Sequence, residues 1–195
     1  MNLINKNHQK LSGYLNQTSN TLTSLSPKTE KDIERISVLA LKVLKNHHKI
    51  IFCGNGGSAS ISEHLAAEFV GRFNINRSSY PAISLTSNSA NITAIANDFG
   101  FNQIFKRQIE SLGNRGDLLV CMSTSGQSEN IWEVIKVAKR KKINTVLFTG
   151  EIDISNKYMP DFLIKIPSNI NSIIQEVHLS IGHYICQYVE NNYHE

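Results

Sequence analysis

The sequence predicts an α/β protein with a doubly wound, five-stranded parallel sheet, a flavodoxin-like sandwich preceded by an N-terminal helical hairpin. Two observations predict this fold. Short, almost wholly apolar runs, typical of strands buried on both faces, alternate with longer stretches of helical character. A chain of 195 residues also suffices for one domain with a sizeable core but not for two. Ligands of such sheets bind outside the carboxyl ends of the strands, so the chemistry is expected there.

The predicted elements follow one another without repeats or long linkers. Helical patterns predict the N-terminal hairpin over 5–24 and 29–47, in which Pro27 stops the first helix and Thr29 caps the second. Apolar runs predict the strands, over 49–53, 81–85, 117–122, 144–148 and 162–166. The remaining helices are predicted over 59–73, 90–111, 127–141 and 170–193. The chain therefore divides into a helical segment, 1–48, and an α/β domain, 49–195, within one structural unit.

The second N-terminal helix carries an apolar stripe from Ile33 to Leu44. Such a stripe must be buried against another element. Packing on its own domain and packing on another subunit both remain open. We expect the segment 1–48 to serve in oligomerisation.

Charge and cysteine usage limit the partners and the compartment. The net charge of +4 is spread along the chain, and the basic run "KRKK" at 139–142 falls where a helix should end, which favours a solvated helix end over nucleic-acid binding. No apolar stretch approaches 18 residues, so we expect no membrane partner. Cys53, Cys121 and Cys186 lie in apolar runs without a CxxC pair, which predicts buried free thiols and a cytoplasmic protein.

Two polar loops follow predicted strands and precede predicted helices. The first is "GNGGS" at 54–58 and the second is "STSGQS" at 123–128. Glycines let backbone N–H groups approach an anion, and the following helix N-terminus adds partial positive charge. Neither loop is a Walker motif or a Rossmann fingerprint, which disfavours nucleotides. Each loop alone could be an ordinary capped turn, but together they predict a phosphorylated ligand.

Two pairs of polar side chains stand at helical spacings. His64 and Glu68, four residues apart, share one helix face. Gln175 and His183, eight residues apart on the last helix, differ by about 80° of rotation and about 12 Å of rise. If folding brings the two helices together, these groups could hold zinc or another divalent ion. The alternative, ordinary core or surface side chains, remains open.

The chain resembles the phosphoheptose (sedoheptulose-7-phosphate) isomerases of the sugar-isomerase (SIS) domain superfamily over about 30–190. Six motifs occur in the family's order: "CGNGGS", "HLAAEFVGRF", "AIANDFGFNQIF", "GDLLVCMSTSGQSENI", "LFTG" and "IQEVHLSIGHYIC". The resemblance implies a homotetramer with active sites at subunit interfaces and one zinc ion per subunit. It also implies conversion of D-sedoheptulose 7-phosphate to D-glycero-D-manno-heptose 7-phosphate, the first step towards ADP-heptose for lipopolysaccharide core or capsule.

Carried over by position, the resemblance implies roles for individual residues. It implies substrate contacts at Asn55, Gly56, Gly57, Glu68, Asn97, Asp98, Ser123, Thr124, Ser125, Ser128 and Gln175. It implies metal ligation by His64, Glu68, Gln175 and His183. Glu68 and His183 are also the implied proton-transfer pair, since an enediolate reaction needs a base and a group that moves protons between two oxygens. A glutamate bound tightly to zinc is a poorer base, and this tension stays open.

Four positions depart from the family pattern. Ile61 and Asn88 stand where the family often has aspartate, and Ser172 with Ile173 replaces an acidic–basic pair. An isoleucine near a polar site cannot orient a histidine, so these positions bear on the metal surroundings and on the sugar contacts. Either the substrate is a different phosphorylated ketose, or these are neutral changes at supporting positions.

Two non-enzymatic readings compete with the isomerase. One is a SIS-domain module that binds a partner protein, similar to the replication-initiator-associating protein. Such relatives lose the glutamate and the final histidine, whereas Glu68 and His183 are both present here. The other is a phosphosugar-sensing regulator, which would need an appended DNA-binding domain for which 195 residues leave no room. We therefore expect an enzyme.

Overall fold

Five parallel strands form the sheet, in a computed structural model that describes residues 10–193. Along the chain they are β1 Ile50–Gly54, β2 Ala82–Ser84, β3 Leu118–Met122, β4 Asn144–Thr149 and β5 Phe162–Lys165. Their spatial order is β2-β1-β3-β4-β5, and every neighbouring pair is parallel. The predicted doubly wound sheet is confirmed. Its strand order reverses between β1 and β3, where flavodoxin-like sheets bind ligands.

Seven α-helices and one 3₁₀ turn (Phe101–Gln103) accompany the strands in the described part of the chain. The helices are α1 Leu11–Thr23, α2 Pro27–Lys45, α3 Gly57–Val70, α4 Ser89–Phe99, α5 Ile104–Leu112, α6 Glu129–Arg140 and α7 Asn171–Asn192. Residues 5–9 of the first predicted helix lie outside the described residues.

Three details of the helix prediction were wrong. The single helix predicted over 90–111 is interrupted at Gly100, whose φ of 92° lies outside helical space. The cap of α2 is not Thr29 but Ser26, whose side chain accepts a hydrogen bond from the Thr29 N–H. Pro27 begins α2 rather than ending α1, because a residue without an N–H fits the first helical position.

Alternate side chains of the central strands enter two separate cores. Ile50 and Phe52 of β1 face one core, which α2, α3 and α7 cover. Ile51 and Cys53 face the other, which α5 and α6 cover. Cys53, Cys121 and Cys186 are all buried and free, as predicted.

Helix α2 belongs to the core of its own domain. Its stripe residues Ile36 and Ala40 are fully buried, and α2 packs chiefly against α7. Helix α1 contributes one buried side chain, Thr21, and leaves Leu11 and Leu15 exposed. The stripe is thus covered within the chain, and the oligomerisation role of 1–48 stays a prediction.

The basic run closes α6 as a helix end. Lys139 pairs with Asp161 at 2.9 Å, and Lys141 donates to the backbone oxygens of Ile109 and Glu110. Two of the four cations of the basic run therefore have partners within the fold. Across residues 10–193, no helix combines the length and the apolar character needed to cross a membrane.

Candidate active site

Helices α3 and α7 run side by side in the same direction. The first turn of α3 meets the first part of α7 at Gly57 and Gln175, and the helices meet again at Leu65 and Gly182. A Cβ at Gly182 would lie 2.5 Å from the Leu65 side chain, so only glycine permits this approach. The sequence expectation that the last helix packs against the helix after β1 therefore describes the observed arrangement.

This packing brings three predicted site residues together beside Gly182. His64 Nε2 lies 2.8 Å from His183 Nε2 and 3.3 Å from Glu68 Oε1. One ligand atom from each residue can be chosen so that all lie within 4.8 Å of one another. The Phe73 ring covers one side, with its centroid 5.6 Å from that of His183. Two imidazoles and a carboxylate thus converge at a partly exposed point.

The protonation of His183 follows from these neighbours. Burial lowers the pKa of His183, the nearby His64 lowers it further, and Glu68 opposes the change. A neutral imidazole has a free nitrogen lone pair, which can accept a proton or bind a metal ion.

The donor set fits a divalent cation. Imidazole nitrogens and a carboxylate oxygen are ligands that zinc accepts. Ligand atoms about 2.0–2.1 Å from a tetrahedral zinc ion lie about 3.3 Å apart. The separation of His64 from Glu68 already matches this spacing, and the two imidazoles need to open only slightly. His64, Glu68 and His183 therefore form a possible metal site.

Gln175 lies at the other end of the helix pair. A Cβ at Gly57 would lie 2.6 Å from the Gln175 side-chain oxygen. Gly57 precedes His64 by two helical turns, about 10.5 Å along the axis. The Gln175 amide therefore stands beside the glycine loop, and its role as a fourth metal ligand stays a prediction.

The two polar loops adjoin each other at the strand-order reversal. Because Gly54 pairs with Met122 in the sheet, Asn55 and Ser123 leave it at equivalent positions. Asn55 exchanges two 2.9 Å amide hydrogen bonds with Asn130 of α6, which ties the loops together. The glycines of the first loop and the hydroxyls of the second thus share one edge of the sheet.

Hydroxyl groups line the second loop. Ser123 Oγ and Ser128 Oγ lie 3.2 Å apart, and Ser125 Oγ accepts from the Gln127 N–H. The Ser128 side chain makes no capping bond to α6. The Thr124 carbonyl accepts from the Gly150 N–H and anchors the loop to the end of β4. The predicted substrate-binding hydroxyls thus lie in one loop, and their contact with the substrate stays a prediction.

In the described part of the chain, Asn97 and Asp98 share a hydrogen bond with each other but make none to the two polar loops. Both are exposed near the C-terminal end of α4, and the Asn97 amide donates to the Asp98 carboxylate at 2.9 Å. Helix α4 packs chiefly on the 3₁₀ turn and α5 and buries none of its own residues. Their substrate contacts stay a prediction.

The four departures from the family pattern have structural explanations. Ile61 lies in the apolar core rather than at the mouth of a polar site, and Ile173 is fully buried. Asn88 caps α4 by accepting from the Asn91 N–H, a task that asparagine and aspartate perform equally well. Ser172 is exposed. None of the four contacts the His64–Glu68–His183 group through a hydrogen bond found in the described residues.

Sequence reasoning missed Asn130 as the partner of Asn55. It also missed Arg77 and Glu190, which form a buried ion pair behind Phe73. Asn130 could have been found from its place in the first turn of the helix after the serine loop. No local pattern pointed to Arg77 and Glu190, which are 113 residues apart.

Comparison with known proteins defines the class to which this fold and site belong. A profile of the SIS domain family matches residues 13–150, and the chain belongs to that family.

Within the SIS family, the chain belongs to the phosphoheptose isomerases. The curated phosphoheptose isomerase of Akkermansia muciniphila is 45% identical over 159 residues, which cover 82% of this chain and 84% of the relative. That of Nitratidesulfovibrio vulgaris (strain Miyazaki F) is 41% identical over 83% of this chain and 79% of the relative. The solved phosphoheptose isomerase of Francisella tularensis superposes with a TM-score of 0.83 at 31% identity, covering 93% of this chain and 97% of that one.

Proposed function

We propose that the chain is an aldose–ketose isomerase that converts D-sedoheptulose 7-phosphate to D-glycero-D-manno-heptose 7-phosphate. One observation carries the proposal: the His183 imidazole and the Glu68 carboxylate converge within 2.8 and 3.3 Å of His64 Nε2. A carboxylate and a neutral imidazole are the groups that this proton transfer needs. The relatives called phosphoheptose isomerases support the choice of substrate.

The reaction moves protons without net oxidation. Glu68 removes a proton from C1 of the ketose, and the released electron pair forms the C1–C2 double bond while O2 becomes an oxyanion. His183 carries the O1 proton to O2. Glu68 then returns its proton to C2 as the C1 aldehyde forms. One group thus serves carbon and the other serves oxygen.

The loops after β1 and β3 hold the far end of the sugar. The helices that follow them begin at Gly57 and Glu129, and helix N-termini attract phosphate. The hydroxyls of Ser123, Ser125 and Ser128 add donors. Binding energy from the phosphate end then positions C1 and C2 for proton transfer.

A zinc ion is the expected cofactor, held by His64, Glu68 and His183 with Gln175 as a fourth ligand. When bound, it would stabilise negative charge on the sugar oxygens. Glu68 has two carboxylate oxygens, so one can serve as a ligand while the other accepts the proton. This division would relieve the tension between its two roles.

A homotetramer with sites at subunit interfaces is part of the proposal. Helix α4 buries none of its residues, and the rings of Phe99 and Phe101 are 52% and 58% exposed. Exposed aromatic rings beside Asn97 and Asp98 suit a face that a second copy covers. The enzyme would act in the cytoplasm, and its product would enter ADP-heptose synthesis for lipopolysaccharide or capsule.

The test is to follow aldose formation from sedoheptulose 7-phosphate. Glu68→Gln and His183→Ala should each lower kcat by about 10²–10⁴-fold, the usual contribution of general acid–base groups. Ser125→Ala should mainly raise KM, because it touches only the phosphate loop. Wild-type turnover in Glu68→Gln would refute the base, and no turnover by the wild type would refute the substrate.

A further inference from the structure

We propose that Arg77 and Glu190 are positioning residues, which hold α3 and α7 so that His64, Glu68 and His183 meet correctly. The inference rests on the proposed function. Arg77 lies in the segment that follows α3, and Glu190 lies near the end of α7. Within residues 10–193, the one hydrogen bond from either side chain to a site residue runs from the Arg77 guanidinium to the Glu68 backbone oxygen.

The carboxylate of Glu190 binds the segment that follows α3. The Glu190 side chain is only 1% exposed. It accepts three successive backbone N–H groups, from Phe73 at 3.1 Å, Asn74 at 2.7 Å and Ile75 at 3.2 Å. It also accepts from Arg77 Nε at 3.1 Å. Converging N–H groups of this kind form an anion-binding nest.

The charge of Glu190 is maintained by these partners. Burial alone acts to raise the pKa of Glu190, but the N–H groups of Asn74, Phe73 and Ile75, together with Arg77, hold the pKa below its ordinary value. The carboxylate therefore stays ionised, and its four hydrogen bonds are charge-assisted.

Arg77 binds the C-terminal end of α3 through its guanidinium group. It donates to four backbone oxygens, those of Glu68 at 2.8 Å, Phe69 at 3.0 Å, Ser78 at 3.0 Å and Gly71 at 3.4 Å. The last carbonyls of a helix lack partners within the helix. The Arg77 guanidinium provides hydrogen-bond donors for these carbonyls, one of which belongs to Glu68 itself.

The ion pair reaches the site from both helices. Glu190 follows His183 by two turns on the same face of α7. Glu190 accepts a hydrogen bond from the Phe73 N–H, and the centroid of the Phe73 ring lies 5.6 Å from that of His183. On α3, the helix that faces α7, Arg77 holds the backbone at Glu68. Loss of either charged group should therefore disturb both imidazoles.

A second buried ion pair provides a matched control. The Asp117 side chain is also 1% exposed and accepts from Lys49 Nζ at 2.7 Å and from two backbone N–H groups, of Lys49 and Asn114. It lies where β3 begins, at the edge of the sheet opposite the candidate site. Removing one partner of a buried pair is destabilising in either place. Only the Arg77–Glu190 pair is bonded to segments that carry site residues.

The experiment compares Glu190→Gln, Arg77→Lys and Phe73→Leu with Asp117→Asn. The readouts are the imidazole Cε1–H resonances of His64 and His183 in metal-free protein, and Co²⁺ affinity. All three site variants should shift both resonances and weaken Co²⁺ binding about 10–100-fold, the usual effect of groups that orient ligands. Asp117→Asn should lower the melting temperature but leave the resonances and the affinity unchanged. Phe73→Leu keeps the ion pair and, if the charge variants do not fold, tests the link through Co²⁺ affinity, because loss of a ring 5.6 Å from His183 shifts that resonance in any case.

Unchanged resonances in any folded charge variant would overturn the proposal, and so would equal changes in Asp117→Asn. If the wild type bound no Co²⁺, the resonances alone would decide. Because neither readout uses the sugar, failure of the heptose reaction would be seen separately, as absent turnover by a wild type with these properties.

Discussion

His64 and His183 place their Nε2 atoms 2.8 Å apart, although 119 residues separate them along the chain. The contact depends on Gly182, which lets the Leu65 side chain of α3 lie against the backbone of α7. The candidate site is therefore a product of helix packing, and perturbing that packing should perturb the site.

Gly182→Ala should separate α3 from α7. Its Cβ would lie 2.5 Å from Leu65, and overpacking of this kind costs about 1–3 kcal/mol. Zn²⁺ affinity should fall together with the free energy of unfolding, as measured by calorimetric titration and urea denaturation. In a Leu65→Ala background, which provides the missing space, the added alanine should cost much less. Strict additivity of the two changes would contradict the role of this contact.

Removing metal ligands should rank them by position. Chelation should abolish turnover, and added Zn²⁺ should restore it. His64→Ala should lower Zn²⁺ affinity more than 100-fold, beyond the roughly 10–100-fold effect of groups that only orient ligands. Gln175→Ala should cost less, because its amide lies beside Gly57 two turns away. Equal losses in the two variants would show that Gln175 reaches the ion fully, and full activity after exhaustive chelation would remove the metal from the mechanism.

Gly57→Ala should change substrate binding, whereas Gly56→Ala should change stability. At Gly57, the new Cβ would displace the flexible Gln175 amide, so KM should rise several-fold while stability changes little. At Gly56 there is open space, but φ is 55° and ψ is −124°, a conformation that residues with a side chain rarely adopt, and holding a side chain there costs about 1–3 kcal/mol. Thermal unfolding and steady-state kinetics separate the two outcomes. A large fall in stability for Gly57→Ala would show that Gln175 is rigidly held.

His178 should make the fold sensitive to mild acid. It is fully buried, and burial lowers the pKa of His178 to about 4, while its Nε2 faces the Thr149 carbonyl. An unfolded histidine titrates near 6.5. Between these values the unfolded state binds more protons, so stability is complete above about pH 6.5 and falls as the pH drops to 4, by about 3 kcal/mol.

The check on His178 is urea denaturation at pH 7 and pH 4.5. His178→Met should flatten the difference in unfolding free energy between the two pH values. His47→Asn provides the control, since His47 is exposed and asparagine tolerates its φ of 60°. The control should keep the wild-type slope. An unchanged slope in His178→Met would assign the acid sensitivity to other groups.

The sheet was predictable because its strands carry their own signal. Runs such as that of β3 are apolar at every position, and all five residues of that strand are buried. The break of the long helix at Gly100 was not predictable, because a glycine inside a helical pattern does not reveal its φ. Gly100 takes a φ of 92° at the end of α4, directly before the 3₁₀ turn that leads into α5.

Half of the candidate site was predictable for a similar reason. His64 and Glu68 are four residues apart, which fixes them on one helix face whatever the fold. The meeting with His183, the amide pair of Asn55 with Asn130 and the pairing of Arg77 with Glu190 all join distant segments. Such contacts depend on tertiary packing, so the spacing of residues along the chain does not predict them.

The matched course of α3 and α7 also restricts which length changes the gene can tolerate. One extra residue between Gly57 and His64 would rotate everything beyond it by about 100° and turn His64 away from its partner. The same holds for α7 between Gln175 and His183. In both helices, about two turns separate the residue at the glycine loop from the histidine of the site. Related sequences should therefore accumulate insertions and deletions outside these two stretches.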